Sequence, residues 1–224
     1  MAVTQTLARY AWLYEGRIVT LEERTAGYRQ SLPLAEVDWA VQNARVVEQA
    51  AHLPFGGTLH RDDMMALNTD WILEQNPGAK MAIWAHNYHV SRVPGAQGSH
   101  LARWYGASYV VLGFAFHEGK FSALPVLPNG SFGPLRNDNV AATSFPGSVE
   151  YALHQTGLPR FILDLRAART ENGGAWLLGA NEFREIGAIA NDGFTVRPTL
   201  TTDYDALIYF DQTNASALLP FDRP

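Results

Sequence analysis

Four short apolar runs, residues 81–85, 109–116, 161–165 and 206–210, constrain this chain more than any other feature. Each is rich in β-branched or aromatic residues and bounded by turn chemistry, the pattern of buried strands. Helical spacing marks residues 99–104, 148–156 and 182–189 between them. Strand alternating with helix predicts an α/β fold, with a mostly parallel central sheet and flanking helices. Ahead of the first run, Leu34, Val37, Val41, Ala44, Val47 and Ala51 recur at helical spacing over residues 34–53, a helix ended by Pro54 and Gly56–Gly57. A second helix is expected over 62–75, with Met65, Asn68 and Ile72 on one stripe and Pro77–Gly78 as its stop. Residues 3–15 form a further short helix on this reading, and the Pro-, Gly- and Asn-rich stretch 122–144 a long loop. No repeat divides the 224 residues, so a single domain over 1–224 is expected.

Composition narrows the function classes. The chain has no Cys, which removes a disulfide framework, thiolate metal sites and a Cys nucleophile. A net charge of −5 with no Lys/Arg cluster argues against a nucleic-acid partner. No apolar run approaches about 18 residues, and the N-terminus lacks the basic start and apolar stretch of a secretory signal, so a cytoplasmic protein is the expectation. There is no G-x-S-x-G, no G-x-x-x-x-G-K-[ST] and no G-x-G-x-x-G, so neither a serine nucleophile elbow nor a phosphate cradle is supported.

Ligands in open α/β sheets sit beyond the carboxyl ends of strands. The run 81–85 stops in His86-Asn87-Tyr88-His89, which places two imidazoles at a sheet rim. Imidazole exchanges a proton near neutral pH, so the pair suits acid–base work. The alternative is one His packed under the loop on a carbonyl and one exposed. A metal reading is weaker, because the spacing is i, i+3 with no acidic residue between, and no cofactor is expected. Arg61 and Asn68, seven residues apart on the second helix, share a face and could hold a substrate carbonyl; the bland alternative is a capped helix start with an ordinary ion pair. His117-Glu118 reads as a solvated turn after the second run, and Asp164 as a site anchor or a satisfied buried carboxylate. His52, His60, His100 and His154 read as surface or packing residues, and Trp84, inside the first run, as core.

Arg61-Asp-x-x-Met-Ala-x-Asn68 with Trp71, then Ala82-Ile-Trp-Ala-His-Asn-x-His-Val90, then Gly113-Phe-x-Phe116 with Gly119 and Phe121, resembles the erythromycin esterase family. Phe161-Ile-Leu-Asp-Leu-Arg166, Arg184-x-Ile-Gly187 and Tyr204-Asp-Ala-Leu-Ile-Tyr-Phe210 fit in the same order. The resemblance implies a hydrolase of the α/β class that opens a macrolactone, with antibiotic resistance as the consequence, or cleaves another carboxylic ester with activated water. By position it implies that His86 and His89 line the active cleft, with no metal or cofactor; on the hydrolase reading these two are the catalytic residues, and Arg61, Asn68, Asn87 and Tyr88 are the expected substrate contacts. The family's N-terminal half carries a G-E-x-x-H-G motif supplying the general base, and no such motif occurs here. The expectation is therefore a chain truncated relative to the family, resembling its C-terminal half. It either works with a separate N-terminal half or a second copy, or survives as a non-catalytic ligand-binding form. A small-molecule ester is the expected partner, and a metal-dependent hydrolase the least favoured alternative.

Overall fold

The computed structural model describes residues 23–52, 61–191 and 193–218. The helix expected over 3–15, the Pro54 and Gly56–Gly57 stop, and His60 lie outside them. Two compact units divide the chain, residues 1–81 and 82–224.

The first unit holds α1 (Leu34–His52) and α2 (Arg61–Glu74). On α1 the expected stripe is buried at Val37, half-buried at Val41, Ala44 and Ala51, and exposed at Leu34 and Val47. On α2 the buried residues are Asp62, Met64 and Ala66, whereas Met65, Asn68 and Ile72 are not. An amide ladder joins these helices. Gln42 Nε2 donates to Asn68 Oδ1 at 2.7 Å, and Asn68 Nδ2 donates to Gln49 Oε1 at 2.8 Å. Trp39 and Trp71 meet edge to face at 4.7 Å beside it.

The second unit carries α3 (Asn87–Val90), α4 (Gln97–Tyr105), β1 (Leu112–Ala123), β2 (Arg136–Ala141), α5 (Val149–His154), β3 (Arg160–Asp164), β4 (Asn181–Arg184), β5 (Phe194–Arg197), α6 (Leu200–Asp203) and β6 (Ala206–Thr213). Its main sheet has the order β2-β1-β6-β3. Only β1·β6 is parallel; β1·β2 and β3·β6 are antiparallel, so the sheet is mixed and not mostly parallel. The α/β class stands. The difference arises because β2 forms inside the stretch expected to be a loop, folding back on the extended C-terminal half of β1. Residues 182–189 are not a helix either: β4 pairs with β5 in a separate two-stranded sheet.

The run 81–85 is apolar but makes no strand among the described residues. A strand is defined by its ladder, and composition cannot supply the partner. Trp84 is accordingly 87% exposed, not core. The core lies instead between the main sheet and the elements that cover it. Val111, Ala115, Leu207 and Tyr209 from the sheet side meet Val149 and Leu153 of α5, Phe183 of β4 and Leu200 of α6. Burying one such aliphatic side chain stabilises by roughly 1.5–3 kcal/mol. Gly98, in the first turn of α4, allows that helix to sit on the end of α3. A Cβ there would lie 2.2 Å from the Val90 carbonyl oxygen.

Beneath the core sit two titratable groups of opposite consequence. Glu150 is fully buried; burial pushes its carboxyl up to about 7 although the Arg184 amide donates to it at 2.8 Å. The unfolded chain releases that proton near 4.5 while the native state keeps it, so stability falls as pH rises between the two values. His117 works the other way. Burial first, and the neighbouring His154 imidazole second, hold it below its ordinary 6.5, so the unfolded state takes the proton first and stability falls on acidification below that value. Replacing Glu150 with Gln should stabilise the protein at pH 8 by on the order of 3 kcal/mol. It should also remove the Glu150 contribution, so that stability falls less with rising pH between about 4.5 and 7 than in wild type. Urea unfolding midpoints from pH 4.5 to 8 test both.

Candidate active site

The segment after Ala85 is short, and three of its residues are fixed by the backbone. Asn87 is buried and opens α3. Its Nδ2 donates to the Phe114 carbonyl at 2.7 Å, and its Oδ1 accepts from the Phe114 N–H at 2.9 Å. A side-chain amide has one donor edge and one acceptor edge, so it pairs with β1 as a peptide group would. The position needs such a partner. β2 pairs with β1 only from Gly119 onward, so the main-chain groups of Phe114 that point away from β6 would otherwise lack one.

His86 is the N-cap of α3. Its Nδ1 accepts from the Tyr88 N–H at 3.2 Å, and its Nε2 lies 3.0 Å from the Ile186 carbonyl oxygen. An amide N–H can only donate and a carbonyl can only accept, which dictates the tautomer: Nδ1 is bare and Nε2 carries the proton. The His86 and His89 rings sit 6.2 Å apart, and Tyr88 lies 5.6 Å from His89. All three side chains are half-buried. The structure therefore brings the two imidazoles together at one turn, with His86 engaged at both nitrogens.

α3 is tied down at its far end too. Ser91 Oγ donates to the Tyr88 carbonyl at 2.8 Å, and Tyr109 OH donates to the Val90 carbonyl at 2.7 Å. Arg92 donates to Asp205 at 2.5 Å, and the same Asp205 oxygen accepts from the Val111 N–H at 2.7 Å, joining the turn to the starts of β1 and β6.

Arg61 and Asn68, two further expected contacts, belong to the first unit. Arg61 is exposed at the start of α2, and Asn68 is engaged at both ends of its amide by Gln42 and Gln49. Asp164 is an exposed carboxylate held below its usual range by hydrogen bonding to Arg166, not a buried anchor. A cavity of about 460 Å³ lies in the first unit, lined by residues including Arg29, Asp38, Arg45 and Trp71, and no histidine lines it. Among the described residues no group of His, Asp and Glu is arranged to hold a metal ion.

A second polar cluster was not foreseen. His117 is not a solvated turn but a 5% exposed residue within β1, on the same face as Gly113 and Ala115. Its Nδ1 meets Ser144 Oγ at 2.5 Å. His154, read from the sequence as a surface or packing residue, stacks on the His117 ring at 3.7 Å with planes 5° apart. It bonds Asp211 at 2.6 Å, and Tyr209 OH donates to the same Asp211 oxygen at 2.7 Å. The period-2 pattern of β1 carried the signal for His117. His154 and Asp211 are remote in sequence and carried none.

A mixed sheet with a histidine pair on a backbone-anchored turn at its side is the class of protein defined here. The erythromycin esterase family model matches residues 2–213, and the chain belongs to that family. No curated protein matches the sequence. Among solved structures, a Bacillus cereus protein superposes with a TM-score of 0.77 at 24% identity, over 95% of this chain and 53% of that one. A succinoglycan biosynthesis protein gives 0.71 at 18%, over 95% and 51%. An erythromycin esterase mutant in its open conformation gives 0.63 at 14%, over 91% and 52%. These likenesses show the fold, and the chain spans about half the length of each of the three.

Removing the Asn87 amide should loosen the whole turn. Asn87→Ala leaves the Phe114 N–H and carbonyl unpaired at a cost of about 2–3 kcal/mol. Asn87→Asp should be no better, because a carboxylate faces the Phe114 carbonyl where a donor is needed. Urea unfolding of both variants checks the prediction.

Proposed function

We propose that this chain hydrolyses a carboxylic ester, a macrolactone or a smaller one, with water as the nucleophile. Family membership supports hydrolase-like chemistry at the level of the family. The observation that carries the reading is the His86–His89 pair, 6.2 Å apart on a turn whose backbone is fixed to β1 through Asn87. In hydrolysis, water adds to the carbonyl carbon, the bond from that carbon to the alcohol oxygen breaks, and the alcohol leaves with a proton. A proton carrier beside the leaving oxygen, and a donor to the developing oxyanion, lower that barrier.

On this reading His89, carried on the turn that His86 caps and 6.2 Å from its ring, donates the proton or the oxyanion hydrogen bond. His86 is then the cap that shapes the turn, and Tyr88 gives the ester an aromatic wall next to His89.

The test is hydrolysis of a macrolide lactone and of p-nitrophenyl esters by the purified chain, with and without chelator. Turnover should survive chelator and fall at least a hundredfold in His89→Ala, a variant in which circular dichroism is unchanged. Equal turnover by His89→Ala and wild type, or loss to chelator with recovery on adding zinc, overturns the assignment. Saturable ligand binding with no turnover would favour the non-catalytic form over the enzyme.

A further inference from the structure

The partner that fixes the His86 tautomer belongs to a distant part of the chain, and that part is built around a buried ion pair. Ile186, whose carbonyl accepts from His86 Nε2, lies two residues beyond the end of β4. Its neighbour Glu185 is anchored three ways. The carboxylate pairs with Arg197 of β5, and both side chains are more than nine-tenths buried. The Tyr204 hydroxyl donates to the same carboxylate oxygen at 3.4 Å. The Glu185 N–H donates to the Gly193 carbonyl at 2.7 Å.

Gly193 completes the clamp. Its φ of +57° is costly for a residue with a side chain, and a Cβ there would lie 2.7 Å from the Glu185 oxygen and 2.9 Å from the Ile186 nitrogen. The backbone at 185–186 is thus pinched between Gly193 and the ion pair. It has little freedom to turn the Ile186 carbonyl away from the imidazole. Gly187, next in the chain, would bring a Cβ to within 3.8 Å of His86 Nε2, so the ring and this loop are in contact range.

A buried ion pair is a weak source of net stability, because desolvation offsets most of the attraction. Holding one geometry is the better-attested use of such a pair. We propose that Glu185 and Arg197 are positioning residues for the site: through the Ile186 carbonyl they keep His86 in the single Nε2–H tautomer, which frees Nδ1 to accept the Tyr88 amide and start the turn that carries His89. This deepens the esterase reading and depends on it only for the kinetic consequence.

The test is long-range 1H–15N correlation of the imidazole nitrogens at pH 8, in the full chain, with ester turnover measured alongside. Wild-type His86 should show one tautomer, protonated at Nε2. In Glu185→Gln and Arg197→Met the Nδ1–H form should appear, and kcat should fall by about ten- to a hundredfold with KM little changed. Arg197→Lys, which keeps the charge, should restore the single tautomer. Should Arg197→Met fail to fold by circular dichroism, Gly193→Ala carries the same readout, since it presses on the 185–186 backbone and leaves both charged side chains in place. Wild-type His86 protonated at Nδ1, or a single Nε2–H tautomer retained in the folded variants, overturns the proposal. Absence of wild-type turnover would sink the esterase reading alone, because the tautomer is read without substrate.

Discussion

The site depends on one substitution of groups: a side-chain amide stands where a strand's peptide would be. The first half of β1 has β6 on one side and no strand on the other among the described residues. Buried main-chain donors and acceptors must find partners, and at Phe114 Asn87 supplies both. Because the residues flanking Asn87 are so close to it in sequence, fixing its amide also fixes where His86 and His89 begin. Tyr109 OH, Ser91 Oγ and Arg92 then repeat the fixing at the other end of α3. A helix of four residues has almost no cohesion of its own, so its geometry is borrowed from the sheet.

Local chemistry made much of this legible in advance. The runs around 109–116, 161–165 and 206–210 became β1, β3 and β6, because β-branched and aromatic residues between turns have few other stable outcomes. The His-Asn-Tyr-His turn was also found from residue type and position. The same logic failed at 81–85, where the residues suit a strand but pairing is a tertiary event, and at 182–189, where Phe183 and Arg184 face a core and a charge cluster that a helical count cannot see. The engagement of His86 by Ile186, 100 residues away, and of His154 by Asp211, 57 residues away, had no local trace. His117 did have one, since it shares the inward parity of Gly113 and Ala115.

A small group of charged side chains is buried around β4 and β5. The Arg184 guanidinium lies over the Phe116 and Phe194 rings, 5.1 and 4.5 Å from their centroids, and donates to the Ala142 carbonyl at 2.5 Å. Aromatic faces and carbonyl oxygens stand in for the water such a cation loses. Glu150, Glu185, Arg197 and Asp203 are buried nearby, and Asp203 is pushed above its ordinary range by loss of solvent. A few of the chain's charges are placed where desolvation is most costly. That placement is explained by orientation more readily than by stability.

The indole of Trp84, two residues before His86 and 5.3 Å from the Phe114 ring, stands in water almost entirely uncovered. Its emission is therefore that of a hydrated fluorophore, open to collisional quenchers. A ligand that covers the Trp84 ring shields it from those quenchers, a change to be read against the other five tryptophans of the chain.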